Sequence, residues 1–384
     1  MEAITRRAAL TGMAGVAAAA VVGCSTSNPE TPTPSPSDTV SATPTPTPSP
    51  SETVDTTPRW PLTGVPFEEG DAEKAAHIPV AVKVPVEKRS FPQLGVEAAD
   101  LVFVQAQGKS YDTTRLCAIF HSEWPKDGAN PVRSTRPVDV PLLVPLKAVV
   151  LACTGAIPWV LKYVRKRKQN IELREKYGDS SDRWRMWKPG GWLKGSNAVD
   201  KTVVAMPKNL ARDSKLDKGE IPPTYLVYNP PGVEPSSVNG TPVEKATIFY
   251  KGSNVGTEYH RWEWDAEAGL FAASIRFYEG KTWYKWITRS KKQIKVPNVI
   301  IMFCEWHMGR IKGYTGHSEP IYSITGGTDK FIYFNNGKYV TGTWKKGDYD
   351  ALPIFTLDDG TPLYLEPGKT WIEMPQTGAR VDLV

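Results

Sequence analysis

The segment Arg133-Ser134-Thr135-Arg136-Pro137-Val138-Asp139 is the part of this 384-residue chain best equipped for chemistry. Two guanidinium forks, each able to hold phosphate or carboxylate oxygens through parallel N–H bonds, flank a serine hydroxyl that adds another donor. Pro137 fixes a backbone torsion and lowers the entropy lost in keeping those donors together. A β-branched run upstream supplies Arg115, and Asp139 is placed to orient one arginine. Two readings stand side by side. Arg115, Arg133, Ser134 and Arg136 form an anion site with Asp139 in support, or the same residues form an ion network that fastens a loop to a sheet. Three arginines on one carboxylate leave positive charge uncompensated, which suits the first.

Other groupings carry less. Cys304, His307 and His317 are near enough in sequence to suggest zinc, but positions i and i+3 on a strand face opposite ways and no fourth ligand follows. No metal and no cofactor is expected. Ser318 beside His317 lacks an acid partner for a serine triad. Cys117 and Cys153 lie in apolar runs, where buried free thiols are the first reading and a Cys117–Cys153 bridge the second. Lys162, Arg165, Lys166, Arg167 and Lys168 crowd one face of an expected helix over 157–177, either a solvated face or an attractor of anionic headgroups and wall polymers. Trp262, Trp264, Trp283, Trp286, Trp306, Trp344 and Trp371 fall mostly at alternating strand positions. They are expected to be core, with any exposed stripe suited to sugar rings.

The elements that must position these residues fall into two stretches. Residues 59–206 alternate short apolar runs (80–84, 100–105, 115–120, 148–153) with turns and the expected helix, a mixed α/β pattern. Residues 207–223 are charged, end in Pro222-Pro223 and read as a linker. Residues 224–384 read as nearly all β, with hairpin signals at Asn335-Asn336-Gly337 and Asp358-Asp359-Gly360. The expected fold class is α+β, an N-terminal mixed α/β domain followed by a β-rich sandwich- or barrel-like C-terminal domain.

The N-terminus speaks to location. Arg6 and Arg7 lie in a Thr-Arg-Arg-Ala-Ala-Leu string that resembles a twin-arginine export signal, and the apolar run after them is too short to span a bilayer. Val21-Val22-Gly23-Cys24 resembles a bacterial lipobox, which implies acylation of Cys24, of the palmitate kind, and a membrane anchor at the extracytoplasmic face. Residues 25–58 are almost wholly Ser, Thr and Pro with a few acids and no aromatic residue, the composition of a disordered spacer. The formal net charge of +6 permits an anionic partner without requiring one. Nucleic acid is not expected outside the membrane.

Several strings also carry a resemblance. Phe91-Pro92-Gln93-Leu94-Gly95, Pro131-Val132-Arg133-Ser134-Thr135-Arg136-Pro137 and Pro367-Gly368-Lys369-Thr370-Trp371 follow one another in an order that resembles YerB-like bacterial lipoproteins. That resemblance implies an envelope protein with a two-part domain of unsettled biochemical function. The chain departs from the pattern at Val84-Pro85, at Gln105, where the family tends to carry glutamate, and at Asn130, where it carries glycine. A missing carboxylate favours binding over catalysis. The expected function is an exported accessory or binding lipoprotein that recognises an anionic or glycan component of the envelope. One alternative is an envelope-polymer enzyme of phosphoryl or glycosyl-phosphate transfer, using the Arg133/Arg136 loop with Asp100, Asp112 and Asp139. Another is a structural scaffold for a protein partner.

Overall fold

The structure, a computed structural model, describes residues 57–107, 114–177, 179–186, 202–217, 219–251, 257–278 and 280–384. The expected signal segment, Cys24, nearly all of the expected 25–58 spacer and Asp112 lie outside them. No helix among the described residues is long and apolar enough to cross a membrane.

The first half supplies strands β1 (Val80–Pro85), β2 (Leu101–Ala106), β3 (Thr114–Phe120), β4 (Val149–Cys153), β5 (Ile171–Glu175), β6 (Trp184–Met186) and β7 (Val203–Ala205). The second supplies β8 (Thr241–Pro242), β9 (Lys245–Lys251), β10 (Thr257–Asp265), β11 (Leu270–Arg276), β12 (Tyr284–Lys285), β13 (Lys295–Val296) and β14 (Asn298–Met302). It continues with β15 (Trp306–Gly309), β16 (Glu319–Tyr322), β17 (Thr328–Asn335), β18 (Lys338–Lys346), β19 (Pro353–Leu357), β20 (Thr370–Met374) and β21 (Val381–Leu383). Helices are short: α1 (Asp71–Ala75), α2 (Asp139–Leu143), α3 (Pro158–Arg165) and α4 (Pro207–Arg212).

An 11-stranded mixed sheet runs β19-β18-β17-β14-β20-β2-β3-β1-β4-β5, with β8 beside β18. A 6-stranded sheet runs β12-β11-β10-β9-β21, with β13 beside β11. Alternation along each strand divides the core. Val82, Val102, Val104, Ala118 and Trp371 face the second sheet and pack with Ile248, Trp262, Phe271 and Trp286. Ala81, Phe103, Cys117, Ile119 and Ile372 face the other way, under Trp159, Val160 and Val164 of α3 and Tyr225 and Tyr228. Each fully buried aliphatic side chain contributes about 1.5–3 kcal/mol, so this two-faced sheet is the main source of stability.

The fold class is α+β, with a mixed N-terminal region and a β-rich C-terminal one. The expected boundary at 207–223 does not separate two cores, however. β2 pairs in parallel with β20 through Leu101↔Thr370 and Phe103↔Ile372, so one sheet contains strands from both halves. The inner face of the C-terminal sheet is closed by N-terminal valines rather than by a barrel of its own.

The expected strands at 80–84, 100–105, 115–120 and 148–153 are β1, β2, β3 and β4. The expected helix over 157–177 is corrected. It stops at Arg165, and Ile171–Glu175 is an edge strand paired in parallel with β4. Hydrogen bonds offered by the open edge of β4 outweigh the helical spacing, and Ile171 and Leu173 also satisfy a period of two. The Asn336-Gly337 turn joins β17 to β18 with both residues at positive φ, 50° and 66°. Cys117, Cys153 and Cys304 are free and buried, so the bridge is not formed, and burial pushes all three thiols upward.

Candidate functional site

The arginine segment is laced across the ends of two central strands. The Arg133 amide donates to the Lys83 carbonyl of β1 (2.8 Å), and the Arg133 carbonyl accepts from Thr154 just past β4 (3.0 Å). Arg115 stands on β3 opposite Gln105 of β2, on the sheet face that also carries Cys117.

Asp139 is buried at the start of α2, and its four partners fix it there. Oδ1 accepts from Lys83 Nζ (2.7 Å) and Gln105 Nε2 (2.9 Å), and Oδ2 accepts from Thr135 Oγ1 (2.7 Å) and the Arg136 amide (2.8 Å). Burial opposes its ionisation, but the Lys83 ammonium and these hydrogen bonds outweigh burial and hold the carboxyl below its ordinary range. The expectation that Asp139 orients an arginine is therefore corrected. It takes the Arg136 main chain, and its counter-charge is Lys83, the one cation in a run of valines.

The three guanidiniums gather on the other side of that loop. Arg115, 5 % exposed, donates from Nη1 to the Ser134 carbonyl (2.9 Å) and from Nη2 to Gln107 Oε1 (2.6 Å). Both acceptors are neutral. Arg133 Nη2 pairs with Glu87 Oε2 at 3.1 Å, and Arg136 Nε lies 3.0 Å from Glu319 Oε2. Burial first, then the Arg136 and Arg133 charges, push the Arg115 pKa well down, with Glu87 and Glu319 opposing. The half-buried Ser134 hydroxyl makes no hydrogen bond among the described residues. Arg115, Arg133, Ser134 and Arg136 thus converge, and Asp139 stands apart from them.

A second buried network was missed in the sequence. Glu258 and His260 of β10 and Glu373 of β20 meet between the two sheets, all essentially without exposure. His260 Nε2 lies 3.0 Å from Glu258 Oε1 and its Nδ1 3.0 Å from Glu373 Oε2. Tyr250 and Trp262 donate to Glu373 at 2.8 and 2.9 Å. Burial disfavours the imidazolium, but Glu373 and Glu258 overrule it and raise the His260 pKa to about 9. The available signal was Glu258-x-His260-x-Trp262, polar groups at inward positions of an alternating strand.

Elsewhere, Cys304 lies in the core while His307 and His317 are exposed, and among the described residues no three His, Cys, Asp or Glu side chains are arranged to hold a metal ion. The basic stretch after α3 is partly engaged, with Lys166 over the Tyr314 ring and Arg167 over the Tyr349 ring at 5.0 and 4.6 Å.

Residues 62–209 match the N-terminal domain, and residues 247–372 the C-terminal domain, of a family described as protein of unknown function DUF3048. The chain belongs to the DUF3048 family. A solved relative in fold is the crystal structure of the YerB protein from Bacillus subtilis, at 21% sequence identity and a TM-score of 0.63. The likeness covers 84% of this chain and 99% of that one. No curated protein matches in sequence. The two DUF3048 segments correspond to the two sequence stretches, and the β2–β20 pairing joins them into one sheet.

Proposed function

We propose that this DUF3048 chain is an exported, lipid-anchored binding protein that recognises an anionic component of the cell envelope through Arg115, Arg133, Ser134 and Arg136. The observation that carries the reading is Arg115. A buried guanidinium that contacts neutral oxygens alone, with two further guanidiniums beside it, is costly in isolation and is relieved by an anion. Envelope placement is supported by the Arg6-Arg7 signal and Cys24. Binding is favoured over phosphoryl transfer because Asp100 is buried under the His121 and Ser122 amides and Asp139 is taken by Lys83.

The test pairs location with ligand. Cys24→Ala should abolish incorporation of a fatty-acid analogue, and the wild-type protein should bind inorganic phosphate in a titration that Arg136→Ala weakens. Label persisting in Cys24→Ala would refute the anchor, and no phosphate binding would refute the site.

A further inference from the structure

The outward face of the six-stranded sheet carries a pattern that the arginine loop does not explain. Along β9, β10 and β11 the inward positions are apolar or belong to the His260 network; the outward ones hold Phe249, Tyr259, Arg261 and Arg276, with Glu263 and the Lys295-paired Asp265 at the far end of β10. The Arg276 guanidinium lies 3.4 Å from the Tyr259 ring centroid, and that of Arg261 lies 3.6 Å from the Trp283 centroid. Arg276 has no carboxylate partner among the described residues, and Arg261 reaches Glu263 only at 3.8 Å.

Beside this face runs an edge hairpin. Residues 280–297 include Lys281, Lys285, Arg289, Lys291, Lys292 and Lys295 and contain no Asp or Glu. Lys295 pairs with Asp265, but Lys281, Lys285, Lys291 and Lys292 are exposed and have no carboxylate partner among the described residues. Register joins hairpin and face, because Arg261 sits opposite Ser274 and Ser274 opposite Lys285. Two strand spacings put those cations roughly 10 Å apart in one row.

We infer that this face and hairpin form a second binding surface, for a linear acidic polysaccharide. Cations spread along a row and a hairpin match charges repeated along a chain better than one compact ion. Stacked ring and guanidinium planes offer a flat surface to sugar rings. The hairpin exposes Tyr284 and Ile287 on its arm, but its tip, Thr288 to Lys292, has no apolar residue to enter a bilayer. The choice of sugar polymer over single-stranded nucleic acid rests on the envelope placement proposed above; the charged surface itself does not.

The experiment titrates the full chain with polyglucuronate at several salt concentrations, alongside neutral dextran, oligothymidylate and phosphatidylglycerol vesicles. Polyglucuronate should bind, more weakly as salt rises, and dextran should not. Lys281→Glu/Lys285→Glu/Lys291→Glu/Lys292→Glu should lower affinity at least tenfold with an unchanged melting temperature. The quadruple variant should still bind inorganic phosphate, which separates this surface from the arginine loop. The inference is overturned if polyglucuronate fails to bind, if the quadruple variant binds like wild type, or if oligothymidylate or vesicles are held more tightly than the polymer.

Discussion

Thr114 and Arg115 are neighbours on β3 and reach to opposite faces of the large sheet. Thr114 Oγ1 donates to Glu258 Oε1 at 2.8 Å between the two sheets, and Arg115 Nη1 donates to the Ser134 carbonyl at 2.9 Å on the helical side. Gln107 Nε2 also donates to the Thr114 carbonyl at 3.0 Å. The base of the β2–β3 hairpin is thereby fixed from both layers, which holds the buried guanidinium in position.

The shared sheet has a direct consequence for truncation. Residues 224–384 alone would leave β20 without β2 and expose the apolar inner face of the six-stranded sheet. That fragment should show no cooperative melt, and co-expression with residues 57–223, which include the core-packed α4, should restore one. A cooperative melt of the fragment by itself would contradict the single core.

The Lys83–Asp139 pair should respond asymmetrically. Lys83→Met leaves a buried carboxylate without its counter-charge and should cost about 3–5 kcal/mol in urea denaturation. Lys83→Met/Asp139→Leu should recover most of that loss. The Asp139 contribution is present above its ordinary pKa of 3.8 and is lost as pH falls through its lower folded value. Equal losses in the single and double variants would mean that the pair itself is favourable.

His260 sets a window at the alkaline end. Its pKa rises from 6.5 to about 9 on folding, so its stabilisation is complete below about pH 6.5 and is lost as pH rises through about 9. The change amounts to about 3 kcal/mol. Melting followed from pH 6 to 10 should show the decline in wild type and a flatter profile in His260→Gln. Parallel profiles would remove His260 from the account.

Local pattern made much of this legible. β1 to β4 and the Asn336-Gly337 turn follow from alternation and turn chemistry that act over a few residues, and the arginine segment stands out by its residue types. What escaped depends on distance along the chain. β5 is a strand because β4 offers it an edge, and the single sheet depends on Leu101 meeting Thr370. Lys83 gave a local hint, a cation inside a valine run, but its partner is 56 residues away. His260 and Glu373 are 113 residues apart, and nothing in either neighbourhood names the other.

Arginines that hold an anion, rather than pin the fold, should separate ligand affinity from stability. Calorimetric titration of inorganic phosphate and melting temperature, measured on the same Arg133→Ala and Arg136→Ala proteins, tests this most directly. Each variant should lose about 1.5–3 kcal/mol of binding, the range for hydrogen bonds to charged groups, beside a smaller stability loss from breaking its ion pair with Glu87 or Glu319. Arg136→Lys should also weaken binding, because an ammonium does not reproduce the fork. Large drops in melting temperature with phosphate affinity unchanged would show the arginines to be structural and would contradict the account.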